Sequence, residues 1–387
     1  MPWMTREDAF QLVWATPIST LADQFETTSA ILRRSILTAG IPLPSASHRA
    51  RARAGKSTAA ASLPPREPGG PWRVWLGPHQ PWYRHSDPAA MLAEPEPFMP
   101  EFSESLEDLR NRVREKMGHV RAIKGLEKTH PSIARYLDVD DQLRRARRSA
   151  VYSYYGKDPL FDSAFEKRRF RILNSLFQGL QKAGALPAVS GETAREMSVK
   201  VGDSAVTILL DHPDAKRDRQ GQWRVREGWA DLLKLRIEGG PEPREWADAE
   251  ETVLEDHLTD ICVAVIVAGE ANYRNQALAQ HQRDMDSREE ARVELARHAA
   301  EAERKAREAQ IARMRERRAE LLKLARAHED ARLVRAFVTD VAQAGAPDGE
   351  DAFEKWRAWA LNVADELDPA IHGDPPFSDF CDPLGST

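Results

Sequence analysis

The sequence predicts a mainly α-helical chain carrying one small α+β domain. Three observations support this: capped amphipathic segments in the first 44 residues, an alternating β pattern around Gly202-Asp203, and the absence of both glycine and proline between Gly269 and Gly345. A length of 387 residues suits two or three domains with at least one sizeable core. The order expected is an N-terminal three-helix, helix-turn-helix-like domain (1–44), then a linker that is basic and then Pro/Trp-rich (45–103). A basic helical segment (104–160) leads into an α+β domain with a three-stranded antiparallel sheet (161–270). A long charged helix or coiled coil (271–344), a C-terminal helix (345–370) and a tail (371–387) complete the chain.

Thr5 with Asp8 fits a capping box, and Ala9, Leu12 and Val13 form the apolar stripe behind it. Thr16 is placed to cap a second helix, with Pro17 in its first turn, where a missing N–H costs nothing. Leu21, Ala22 and Phe25 give that helix its buried face. Residues 26–28 form a corner, Thr28 or Ser29 caps a third helix, and Gly40 with Pro42 stops it.

The stretch "SASHRARARAGKSTAAASLPPREPGGP" has the composition of a mobile linker, interrupted by Trp72, Trp75, Trp82 and Tyr83. Four large aromatics so close together are expected to lie against a neighbouring domain. Residues 161–183 read as an amphipathic helix, "REMSVKVGDSAVTILLD" as a β-hairpin, "DLLKLRIEG" as a third strand and 247–270 as a helix packed on the sheet. An uninterrupted helix over 271–344 would reach on the order of 100 Å. Its apolar stripe is weak, which leaves a solvated rod, a loose coiled coil or a partner-binding arm open.

The third helix carries the main functional candidates. At 100° per residue, Leu32, Ser35, Ile36 and Ala39 share one face, while Ala30, Arg33, Arg34 and Leu37 project from the other half. A helix-turn-helix needs this division, with small or apolar residues where its helices touch and polar ones outward. Arginine suits a DNA-reading position because its planar fork bonds guanine O6 and N7 or clamps phosphates. Thr28, Ser29, Ala30, Arg33, Arg34 and Leu37 are therefore the candidate DNA-binding residues. Arg49, Arg51, Arg53 and Lys56 extend them as a basic arm that follows a phosphate backbone or a minor groove. Glu26 occupies the corner where glycine is usual.

The segment "REDAFQLVWATPISTLADQFETTSAILRRSILTAGIPLP", followed by "ARAGK", resembles the N-terminal module of a widespread group of uncharacterised bacterial proteins. The matching residues are Leu12-Val13-Trp14, Leu21-Ala22, Ile41-Pro42-Leu43-Pro44 and Ala54-Gly55-Lys56. The later order, a mixed domain, a long charged helix and then "WRAWALNVADELDP", is similar to that group too. The resemblance implies DNA binding and a setting among the cargo of mobile elements. At 45–49 the chain departs from the group, with "SASHR" in place of a Pro-Arg-Gly-Tyr-Trp type stretch.

A formal charge of −5, with 30% charged residues, excludes a uniformly basic nucleic-acid coat and confines DNA contact to local patches. Two such clusters form a secondary candidate patch: Arg144, Arg145, Arg147 and Arg148, then Lys167, Arg168 and Arg171. Asp211, His212, Asp214 and Asp218 follow a strand, as magnesium-holding carboxylates do in nucleases, but without the positioned lysine and further acids that chemistry needs. Cys262 and Cys381 are too few for a disulfide framework or a zinc site. The apolar run 261–269 is about half a membrane span, and the N-terminus lacks a signal-peptide pattern. No catalytic residue, metal site or cofactor is predicted. The expectation is a cytoplasmic, non-enzymatic DNA-binding protein acting on double-stranded DNA, a dimeric regulator or accessory factor of a mobile genetic element or defence system. Its long helix is expected to serve self-association or a protein partner, with no membrane contact. The alternatives are a scaffold or adaptor whose long helix recruits partners and, after it, a magnesium-dependent nuclease in the central domain.

Overall fold

The computed structural model of the chain describes residues 3–56, 62–78, 87–149, 158–217, 223, 231–240, 244–345 and 350–372. Two compact units divide the chain, Met1–Glu289 and Glu290–Thr387. The mainly α character and the small antiparallel sheet agree with the sequence pattern. No helix among the described residues is long and apolar enough to cross a membrane.

The first unit begins with β1 (Trp3–Thr5), α1 (Arg6–Ala15), α2 (Ile18–Gln24), α3 (Ser29–Thr38), α4 (Ala46–Arg53) and β2 (Arg73–Trp75). Thr5 caps α1 by accepting from the Asp8 amide, and Thr28 caps α3 by accepting from the Ile31 amide. At α2 the cap position is Pro17, with no side-chain bond, rather than Thr16. Ala9, Val13, Ile18, Leu21, Ala22, Leu32, Ile36, Ala39 and Ile41 bury together with Val74 and Leu76 as a small separate core. β2 thus belongs to this module: it pairs antiparallel with β1, Met4 opposite Val74. Arg6, itself buried, closes the module from within. Its Nε donates to the Ala39 carbonyl (2.7 Å) and its Nη2 to those of Gly40 (3.0 Å) and Pro64 (2.9 Å). The first two contacts satisfy carbonyls at the end of α3, and the third holds the segment before β2.

The central part adds α5 (Pro88–Ala93), α6 (Leu106–Met117), α7 (Pro131–Ser149) and α8 (Ala164–Lys182). After them come β3 (Leu186–Ser190), β4 (Glu196–Val201), β5 (Ser204–Asp211), β6 (Lys234–Glu238) and β7 (Arg244–Ala247). The sheet has five strands in the order β3-β4-β5-β6-β7, all antiparallel, where the sequence pattern suggested three. The two edge strands carry weak signals: Pro187 interrupts β3, and β7 spans four mostly exposed residues. Burial alternates strictly along β4, so one face of the sheet packs on the apolar stripe of α8 and on residues 258–267.

The expected division at residue 270 is absent. A 3₁₀ turn at Leu254–His257 leads into α9, a single helix from Leu258 to Gln343, so the α-helix expected from 247 begins only at Leu258 and the long helix starts inside the core. Gly269 does not interrupt it, because it serves a close approach: a Cβ there would come within 2.6 Å of Val201 Cβ.

The loop preceding β2 is bound to α9 through Glu270. That carboxylate is 1% exposed and accepts from Arg66, from the Gly69 amide (2.7 Å) and from Arg274 Nε (2.6 Å). One turn on, Tyr273 Oη accepts from the Trp72 amide at 3.1 Å. Gly69 lies back to back with the β4–β5 hairpin, where the Asp203 amide donates to the Gly69 carbonyl at 2.9 Å. A Cβ on Gly69 or Gly202 would drive into the facing backbone. Trp72 and Trp75 therefore do lie against neighbouring structure, while Trp82 and Tyr83 fall outside the described residues.

In the second unit, the later part of α9 packs with α10 (Glu350–Leu367) and α11 (Pro369–His372). Ala331, Val338, Ala360 and Ala364 are buried, small enough for the helices to approach closely. Asp368, 4% exposed, accepts from Arg335 Nη1 at 2.6 Å and bonds His328 Nδ1 at 2.8 Å.

Replacing Glu270 by Ala strands Arg66 and the Gly69 amide without their acceptor. Breaking a buried pair from one side costs about 3–5 kcal/mol, so Glu270→Ala should lower the urea midpoint sharply. Limited proteolysis should then cut first in the loop before β2, whereas a merely uniform loss of protection would contradict the anchoring role.

Candidate nucleic-acid interface

α3 presents two unlike faces. Leu32, Ile36 and Ala39 are buried and Ser35 is half-buried, whereas Thr28, Ser29, Ala30, Arg33, Arg34 and Leu37 are exposed. Leu37 is 55% exposed and Ile31 42%, so the outer face is not wholly polar. Among the described residues neither Arg33 nor Arg34 has a carboxylate partner. The corner before α3 explains Glu26. Its φ is +51°, in the left-handed region that glycine favours, and the turn is closed by the Thr27 amide donating to the Ala22 carbonyl at 2.9 Å. The strain of a non-glycine residue there is about 1–2 kcal/mol.

The basic arm is partly a helix. α4 forms over 46–53 because Ser45 accepts from the His48 amide at 3.2 Å and the alanines and arginines that follow favour helix. Arg51 and Lys56 are exposed and Arg49 is half-buried; the Arg53 side chain falls outside the described residues. His48 meets the Trp14 ring edge-on at 4.8 Å between centroids, and Trp14 Nε1 donates to the Pro42 carbonyl at 2.9 Å. These contacts hold the start of α4 against α1.

The secondary basic clusters are largely compensated by acids. Arg144 lies within 4 Å of Asp140, Asp141 and Asp162, Arg145 pairs with Asp141, Arg147 with Asp158, and Lys167 with Asp162. Arg168 turns inward instead of sharing an outer face with Arg171. Its Nη1 and Nη2 reach Asp248 at 2.6 and 3.0 Å, and its Nε and Nη2 reach Glu255 at 2.9 and 2.7 Å. These bonds hold its pKa above the ordinary arginine value. Arg171 is half-buried and Arg148 exposed; for neither is an ion pair found among the described residues.

Asp211, the leading acid of the nuclease alternative, is committed to a buried network. Arg195 donates to Asp211 and Glu166, and Arg169 donates to Glu166 and to the Ala194 carbonyl (2.8 Å). Two guanidinium groups and two carboxylates balance there, out of reach of solvent. His212 is buried beside it, Asp214 is exposed and Asp218 falls outside the described residues. No group of three or more His, Cys, Asp or Glu among the described residues is arranged to hold a metal ion. Cys262 is a core residue, its thiol pushed up to about 12 by burial, and Cys381 lies outside the described residues.

No family model, curated protein or solved structure matches the chain. Its function is therefore to be read from the geometry of its own residues. Sequence reasoning missed Arg73, on β2. Its guanidinium lies 4.3 Å from the Trp3 ring and 5.4 Å from the Trp72 ring, and together with Arg34 it lines an open cleft of about 760 Å³. The alternation of "WRVW" was the available signal, hidden because the surrounding composition reads as linker.

The Arg168 clamp gives a pH prediction. Burial alone would raise the Asp248 pKa, but bonds from Arg168 and from the Leu254 and Leu233 amides outweigh it and hold the carboxyl below the ordinary value. A depressed folded pKa contributes stability that is fully present above the unfolded value of about 3.9 and is lost as pH falls through the folded one. Stability should therefore drop steeply below about pH 4. Asp248→Asn should flatten part of that acid limb in urea melts; an unchanged limb would rule the clamp out as its source.

Proposed function

We propose that the chain is a non-enzymatic DNA-binding protein whose N-terminal module acts as a helix-turn-helix, with α3 entering the major groove. The observation that carries this reading is the outer face of α3, where Arg33 and Arg34 stand exposed and, among the described residues, without an acid partner while Leu32, Ile36 and Ala39 anchor the helix from behind. The left-handed backbone at Glu26 supports it, since the corner adopts without glycine the conformation that glycine usually supplies. Arg51 and Lys56, with Arg49, extend the positive surface along the adjacent α4 and beyond it. The resemblance of the first 56 residues supplies the setting, a regulator or accessory factor of a mobile element or defence system.

Arg33→Ala with Arg34→Ala should abolish sequence-specific duplex binding, a loss of roughly 100-fold or more at about 1–3 kcal/mol per guanine contact. Loss of phosphate contacts should also flatten the salt dependence of the remaining affinity. Because both side chains are exposed, the melting temperature should stay within a degree or two of wild type. Identical mobility shifts for the two proteins across a salt series would overturn the proposal.

A second reading, as a scaffold or adaptor that recruits partners through its long helix, is favoured by the later part of α9. Ile311, Met314, Leu321 and Leu322 are all exposed there, and at 100° per residue they fall within an arc of about 100°. This supports self-association through a short coiled-coil seam. Light scattering after gel filtration should give a dimer for the wild-type chain and a monomer for Ile311→Glu with Leu321→Glu. A wild-type monomer at about 50–100 μM, a range chosen to sit well above ordinary coiled-coil affinities, would exclude it.

A further inference from the structure

We propose that the cleft between α3, the β1–β2 ribbon and the N-terminal part of α9 binds a nucleotide, taking its phosphate on arginine and its base on the aromatic wall. The cleft encloses about 760 Å³ and is lined by Arg34, Arg73 and Arg283, with Asp203 as the single acid among the described lining residues. Its wall carries Trp3, Trp72, Trp75 and Tyr273.

Arg73 is the decisive residue. It is half-buried, its guanidinium carbon lies over the Trp3 ring at 4.3 Å from the centroid, and among the described residues it makes no hydrogen bond or ion pair. A guanidinium stacked this way has used its faces and keeps its in-plane N–H groups for an anion. Burial lowers its pKa and outweighs the nearby Asp284 and Tyr273, which act in the opposite direction. Among the described residues Arg34 likewise has no partner, and Arg283 donates to Gln280 Oε1 at 2.8 Å. Three cations in the lining outnumber Asp203 in the wall and Asp284 near Arg73, and this positive balance calls for phosphate. Trp3 and Trp75 meet edge-on at 5.2 Å between centroids, and with Tyr273 they give the wall several aromatic faces set at angles, against one of which a base stacks. Inorganic anions use only half of such a site.

The nucleotide has two possible sources, a free mononucleotide or one unstacked from a nucleic-acid strand. Only the second rests on the DNA-binding reading above. Arg34 is common to the duplex-facing surface and the cleft, whereas Arg33 is not among the cleft residues and Arg73 is not on the outer face of α3.

The test is calorimetric titration of the full chain with the four deoxynucleoside monophosphates, inorganic phosphate and a ten-residue oligothymidylate. Wild type, Arg73→Gln, Arg283→Gln and Arg33→Ala are compared, with duplex binding measured in parallel. The expected result is binding of a monophosphate or of the oligonucleotide, weakened about tenfold or more by Arg73→Gln and unchanged by Arg33→Ala. Binding of monophosphates identifies a free nucleotide as the ligand; binding of the oligonucleotide alone identifies a strand. Should Arg73→Gln fail to fold, the exposed Arg283→Gln takes its place and must weaken binding in the same direction. Phosphate binding as tightly as every nucleotide, no binding of any probe, or binding indifferent to both cleft variants would each overturn the proposal. Loss of duplex binding in Arg33→Ala with cleft binding intact would separate the two readings.

Discussion

The carboxylate of Glu270 is the joint on which the first unit is assembled. It lies on the buried side of α9, one residue after the glycine that lets that helix close on Val201. A carboxylate removed from water needs several donors, and here they come from two directions: Arg274 from its own helix, and Arg66 with the Gly69 amide from the incoming loop. The loop is thereby drawn so close to the β4–β5 hairpin that only glycine fits at 69 and 202. Residues 72–75 inherit their position from this anchor. Trp72 meets Tyr273, β2 is delivered to β1, and β1 opens the module that carries α3. The cleft is the space left between these pieces.

A second polar device joins α8 to the sheet. Glu166, Arg169, Arg195 and Asp211 form a charge-balanced quartet within the core. Such a group adds little net stability over apolar packing but penalises any arrangement that leaves one member alone. It ties α8 to the segment before β4 and to the end of β5.

Local rules were legible wherever a residue acts on its near neighbours. Thr5, Thr28 and Gly40 mark helix ends as expected, the Gly202-Asp203 hairpin is in place, and the two faces of α3 follow from its spacing. What escaped the sequence depends on distant partners. Arg168 reads as one more cation in "KRRFR" until Asp248 and Glu255, some 80 residues on, are brought to it. β2 reads as linker because its strand partner is at the extreme N-terminus. β3 and β7, at the sheet edges, need less apolar alternation than central strands and gave correspondingly little signal. The Gly269 position suggested an end to the core helix, whereas close packing against Val201 is its reason. For the candidate site, the outer residues of α3 were visible and Trp72 and Trp75 were read as packing aromatics, but Arg73 between them was not.

The attachment of α3 also bears on how readily its surface can diversify. The helix is fixed by a cap at Thr28, by Leu32, Ile36 and Ala39 beneath it, and by Arg6 gripping the carbonyls after its last turn. None of these anchors lies among Ala30, Arg33 or Leu37, and Arg34 serves none of them. Point mutations at those four codons leave folding nearly untouched, so the module can drift through new surface chemistries without crossing a stability barrier. It is arranged as an exchangeable cassette, and a library randomised at those positions would vary the surface of α3 on an otherwise constant scaffold.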